Sequence, residues 1–73
     1  MSSTQNFQGT NFKYYREINR MTQEALAERL GVVRSQIAQY ERGSRSPSIQ
    51  VLREMADIFE VSIDELLGRK SIT

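Results

Sequence analysis

Between residues 22 and 43 the chain reads TQEALAERLGVVRSQIAQYERG, and no other stretch restricts its fold as much. Leu26, Ala27 and Leu30 fall at i, i+1 and i+4, a narrow apolar stripe that fits one buried helix face. Thr22 stands before the stripe as an N-cap. Gly31 follows it, able to take the left-handed conformation that ends a helix at no steric cost. After Val32-Val33 the apolar spacing resumes at Ile37 and Tyr40, while Arg34, Ser35, Gln36 and Gln39 point elsewhere and carry hydrogen-bonding ends. A tight turn therefore joins two short helices, and one face of the second is free to touch something else.

Two helices joined by a short glycine-containing turn, the second of them polar, have the layout of a helix-turn-helix, whose second helix enters the DNA major groove. Composition leaves few competing chemistries. At 73 residues the chain is one domain, near the lower limit for a single core and expected to bury about 60% of its unfolded surface. There is no cysteine, which excludes disulfides and thiolate metal sites, and no histidine, which removes the commonest general base and metal ligand. No base, nucleophile or metal constellation remains, so neither an enzyme nor a cofactor, metal or small-molecule substrate is expected. No apolar run approaches the roughly 20 residues of a membrane span, and the N-terminus does not resemble a signal peptide, so the reading is a soluble, cytoplasmic protein with no membrane partner.

A net charge of +1 is uninformative until it is divided along the chain. Residues 1–33 hold Lys13, Arg16, Arg20 and Arg29 against Glu17, Glu24 and Glu28, a net +1. Residues 34–48 hold Arg34, Arg42 and Arg45 against Glu41 alone, a net +2. From 49 onward Arg53, Arg69 and Lys70 face Glu54, Asp57, Glu60, Asp64 and Glu65, a net −2. Basic charge gathers on the second helix of the pair and the loop after it, and an acidic end would turn away from a polyanion.

Read in order, residues 1–9 are polar apart from Phe7 and Met1 and are expected as an N-terminal arm. Over 10–20, Phe12, Tyr15 and Ile18 give a helical stripe with Thr10 or Asn11 as its cap. Arg16 borders that stripe four residues after Phe12, where a partly buried charge requires a partner. Helices over Gln23–Leu30 and Arg34–Arg42 follow. Pro47 then holds Ser46 out of the helical region, and Ser48 caps a fourth helix with Ile49, Leu52, Met55, Ala56 and Phe59 at three- and four-residue spacing. Ser62-Ile63-Asp64-Glu65 is a capping box that opens a short fifth helix with apolar Ile63, Leu66 and Leu67, ended by Gly68. Asp64 and Glu65 belong to that cap and form no catalytic pair. Met21 and Met55 are assigned to the core. The expectation is an all-α, compact bundle of five short helices, with the domain at 10–68 and a tail at 69–73.

Over about residues 11–68 the chain resembles the Cro and phage-repressor type of helix-turn-helix domain, also called the xenobiotic-response-element family. Arg16, Thr22-Gln23, Leu26-Ala27, Leu30-Gly31-Val32, Ile37, Tyr40-Glu41-Arg42-Gly43, Pro47-Ser48 and Val61-Ser62-Ile63-Asp64-Glu65-Leu66-Leu67 carry the likeness. The resemblance implies a lambda-repressor-like fold and a bacterial or phage-encoded, nucleoid-associated regulator of transcription, most simply a repressor, with double-stranded DNA as its partner. It implies that Arg34, Ser35 and Gln39 contact bases, with Gln36 as their neighbour, that Gln23 anchors a phosphate, and that Arg42 and Arg45 grip the backbone. Arginine suits guanine O6 and N7, and glutamine suits adenine N6 and N7. It further implies a structural ion pair between Arg16 and Glu41.

One position departs from the family pattern. Val33 stands where Ser or Thr usually caps the recognition helix, so either about 1 kcal/mol is lost there or the orphan amides are left for a phosphate. Taken alone, the polar face of that helix is what any solvated helix shows, and the scaffold around it favours the DNA reading. The alternative is a protein-interaction module on the same scaffold, an antirepressor or antitoxin-like partner, with Leu66, Leu67 and Ile72 as its contact surface. A monomer of this size covers few base pairs, so a homodimer through helix five and the C-terminal tail is expected on a palindrome.

Overall fold

The computed structural model describes residues 7–68, with side chains from Asn11 onward. Five helices follow one another: α1 (Phe7–Ile18), α2 (Gln23–Leu30), α3 (Arg34–Arg42), α4 (Ile49–Phe59) and α5 (Ile63–Leu67). No strand occurs among the described residues.

The helix starts follow from local chemistry. The Thr22 hydroxyl accepts from the Ala25 amide at 3.0 Å and the Ser48 hydroxyl from the Val51 amide at 3.2 Å. At α5 the capping box closes in both directions: the Glu65 amide donates to Ser62 Oγ at 3.0 Å and the Ser62 amide to Glu65 Oε1 at 2.9 Å. α3 is the exception, since Val33 occupies the N-cap with extended backbone (φ −90°, ψ 154°) and no side-chain hydrogen bond.

The helix ends share one device. After α1, α2, α3 and α4 a residue in left-handed conformation (Arg20, Gly31, Gly43, Glu60) turns the chain back. The next residue's amide then reaches the carbonyl five positions before it: Met21 to Arg16, Val32 to Ala27, Ser44 to Gln39 and Val61 to Ala56, at 3.0–3.1 Å. This Schellman arrangement satisfies carbonyls that the helix leaves orphaned and throws the following side chain onto the core. Met21, Val32 and Val61 are half-buried there.

The core gathers Phe12 from α1, Leu26, Ala27 and Leu30 from α2, Ile37 and Tyr40 from α3, Leu52, Met55, Ala56 and Phe59 from α4, and Leu66 from α5. Phe12 meets Tyr40 edge to face with centroids 6.5 Å apart, and Tyr15 stacks on Phe59 at 6.1 Å, so aromatic pairs fasten α1 to both α3 and α4. α1 packs on α3 and α5, and α2 packs on α3, which leaves α3 held from two sides.

Several expectations require correction. α1 begins at Phe7, inside the stretch read as an arm, and Thr10 and Asn11 lie within it instead of capping it. Gly9 costs about 1 kcal/mol inside a helix, which is too little to stop one. α1 also ends at Ile18 instead of Arg20, because Arg20 adopts the left-handed turn. Ile18 and Ile49 are not part of the core, being 56% and 62% exposed. Met21 is half-buried at the core edge. Leu66, offered as a contact surface for a partner protein, is fully buried in the chain's own core and is not available for one. Ile72, the tail at 69–73 and residues 1–6 lie outside the described residues.

Candidate nucleic-acid interface

Arg16 and Glu41 meet across 25 residues of sequence. The guanidinium donates from Nε to Glu41 Oε2 at 2.6 Å and from Nη2 to Oε1 at 3.1 Å, and its Nη1 donates to the Met21 carbonyl at 2.8 Å. The two side chains are 10% and 6% exposed. A planar fork on a carboxylate, with the remaining nitrogen on a carbonyl, is the geometry a desolvated arginine needs. The hydrogen bond to Glu41 raises the Arg16 pKa above its ordinary value; burial opposes the rise, and the nearby charges of Glu41 and Glu17 reinforce it.

Gln23 extends this pair into a chain of four side chains. Its Nε2 donates to Glu41 Oε1 at 3.0 Å, and its Oε1 accepts from Arg34 Nη1 at 2.8 Å. A carboxylate can only accept and a guanidinium can only donate, so these neighbours fix which way the amide points. Arg34 and Glu41 are seven residues apart on α3, two turns along one face, and Gln23 at the first position of α2 spans them. Gln23 thus ties both ends of α3 to the start of α2, with Arg16 attaching the same cluster to α1.

The remaining residues expected to touch DNA are distributed as follows. Arg34, Ser35, Arg42 and Arg45 are exposed, and Gln36 and Gln39 are half-buried. Gln39 Oε1 lies 3.5 Å from Arg45 Nη1, which brings the end of α3 and the following loop together. Gln36 donates from Nε2 to the hydroxyl of buried Tyr40 at 2.9 Å. The four-residue spacing of Gln36 and Tyr40 on one helix was a readable signal of that contact. Three links are not encoded in local sequence pattern: the Gln23 amide to Glu41, Arg34 to the same amide, and the Met21 carbonyl that completes the Arg16 shell.

The electrostatics are sharper than the residue count. Glu41, the only acid between residues 34 and 48, is spent on buried Arg16. Among the described residues no carboxylate lies within 4 Å of Arg34, Arg42 or Arg45, so none of these three exposed cations is paired directly with an acid, and Arg34 reaches Glu41 only through the Gln23 amide. A cleft of about 440 Å³ between the end of α2 and α4 contains none of these residues; Glu28, Glu54 and Asp57 outnumber Arg29 in its lining, a balance that disfavours a polyanion.

A helix-turn-helix family model matches residues 12–66, from the first core residue of α1 to the last of α5. The chain belongs to the Cro/C1-type helix-turn-helix family. This is a family of DNA-binding transcription regulators and not a class of enzymes. Among its relatives, the helix-turn-helix-type transcriptional regulator AnsR of Bacillus subtilis is 48% identical over 44 residues, covering 60% of this chain and 38% of AnsR. An uncharacterised helix-turn-helix-type transcriptional regulator of Methanocaldococcus jannaschii is 41% identical over 54 residues, covering 74% of this chain and 82% of its own length. The DNA-binding domain of the P22 C2 repressor superposes with a TM-score of 0.80 at 26% identity, covering 89% of this chain and 86% of that domain. The chain thus spans well under half of AnsR but most of the other two. Among the described residues no helix is long and apolar enough to cross a membrane.

Proposed function

We propose that this chain is a sequence-specific reader of double-stranded DNA in a cytoplasmic, nucleoid-associated transcription regulator, most simply a repressor. α3 enters the major groove, Arg34, Ser35 and Gln39 contact base edges, and Gln23, Arg42 and Arg45 meet phosphates. One observation supports this reading: α3 and the loop after it bear exposed Arg34, Arg42 and Arg45, while the single acid of the segment is buried in its pair with Arg16. A polar helix face alone would be unremarkable. A face whose cations have been left unopposed, held rigidly by aromatic packing and a buried ion pair, suits a polyanion with a groove about one helix wide.

The regulator binds as a homodimer, with α5 and the tail as its interface, and reads a palindrome whose half-site centres are about 34 Å apart, one helical turn. With Leu66 committed to the core, the apolar material left on α5 for such an interface is half-buried Ile63 and Leu67. Selecting bound duplexes from a random pool tests the reading. An enriched palindrome with that spacing is expected, and a bound pool with no sequence in common would refute it.

A further inference from the structure

We propose that Val33 is a specificity-determining residue, reading the 5-methyl group of a thymine beside the base pair contacted by Arg34. The inference rests on the DNA reading of α3 given above. Val33 is 62% exposed, so it does not pack, and as the N-cap of α3 it makes no side-chain hydrogen bond, so it does not cap. The large exposed apolar residues among those described are Tyr14, Ile18, Val33 and Ile49, and Val33 alone belongs to the α2–α3 pair. Its own carbonyl receives the Gln36 amide at 3.0 Å, which fixes it in the first turn of the recognition helix.

A serine or threonine here would stabilise the helix start, and a valine pointing into water does nothing for the folded chain by itself. Such a residue is explained by what it meets on binding. The first residues of a recognition helix are the ones that approach base edges. Among the groups a base pair presents in the major groove, the thymine methyl is the apolar one, and an aliphatic side chain is its natural partner. Val33 directly precedes Arg34, whose guanidinium is steadied by Gln23 at 2.8 Å and suits guanine. The pair therefore reads a guanine and a neighbouring thymine, one by donors and the other by contact.

The test uses the duplex selected by the protein and replaces each thymine of a half-site in turn by deoxyuridine, which removes only the methyl group. Wild-type protein is expected to lose roughly three- to fivefold in affinity at one position next to the guanine, the order expected for one desolvated methyl. Val33→Ser should bind the thymine duplex more weakly, melt no lower than wild type, and be indifferent to deoxyuridine at that position. Val33→Thr, which keeps one methyl, should retain part of the discrimination. Sequence-specific binding that is unchanged by deoxyuridine at every position overturns the role of Val33 while leaving the function intact, as does a Val33→Ser variant that discriminates as well as wild type. Absence of sequence-specific binding by the wild type overturns the function itself, and the proposal with it.

Discussion

Gly31 and Gly43 hold left-handed backbone at φ +73° and +78°, and Arg20 and Glu60 hold it at +59° with side chains attached. That conformation costs an L-residue roughly 1–2 kcal/mol. Glu60→Gly is therefore expected to raise stability by about 1 kcal/mol, and Gly31→Ala to lower it by a similar amount. A Cβ at Gly31 meets nothing within 4 Å, so the backbone alone sets the cost. Urea denaturation of the two variants and the parent measures both effects, and coincident midpoints would contradict them. These positions, with Gly68 at φ +78° after α5, mark how far residue types disclose the fold. Gly31, Gly43 and Gly68 could be read as helix ends because glycine is the cheapest residue there. Arg20 could not, since nothing in an arginine side chain announces positive φ, and α1 was consequently read two residues too long. The apolar residues just past the turns, Met21 and Val61, held the missing signal.

At the scale of elements, α3 is positioned by what grips its two ends. Glu41→Ala leaves the buried Arg16 guanidinium without its carboxylate and is expected to cost about 3–5 kcal/mol, whereas Arg16→Met combined with Glu41→Leu should cost less than that single change. Calorimetric melting distinguishes the two, and a double variant worse than Glu41→Ala would count against the pair's structural role. The raised Arg16 pKa lies above its unfolded value, so the stabilisation it reports is fully present below the ordinary arginine range and is lost only as pH climbs through the raised value. Between about pH 7 and 9 this pair should contribute a constant amount. Gln23 supplies a further expectation. Because its amide holds Arg34 and is also proposed to anchor a phosphate, Gln23→Ala should weaken binding to all sequences and also soften the base preference at the Arg34 position; a uniform loss alone would mean that the Arg34 bond does not survive docking. The limits of α2 and α5 were legible because caps, glycines and apolar periodicity agreed there; α3 lacks the capping side chain and α4 the closing glycine, and apolar periodicity marked them with the remaining signal. The start of α1 was not, because Gly9 weakens a helix without ending it. The Arg16–Glu41 pair was visible as two opposite charges bordering apolar stripes, but the amide between Glu41 and Arg34 depends on tertiary placement that no local pattern encodes.

For the whole molecule, the division of charge matters more than the total of +1. Arg34, Arg42 and Arg45 lie on α3 and the loop after it and the acidic residues of α4 and α5 elsewhere in the chain, a division expected to orient approach to DNA and to make affinity fall steeply with salt. Removing Arg45 should reduce the slope of log affinity against log salt by about one phosphate contact per protomer, and an unchanged slope would show that Arg45 grips no backbone. Sedimentation of the protein free and on a two-half-site duplex tests the homodimer: two protomers per duplex are expected, and a single protomer in both states would rule it out. In the proposed function α3 reads bases through Arg34. The most direct measurement is the affinity and preferred sequence of Arg34→Ala against the parent protein at one salt concentration. A loss of about 1–3 kcal/mol, roughly 5- to 150-fold, is expected, with a guanine preference erased at one position per half-site. Unchanged affinity together with an unchanged preferred sequence would contradict it.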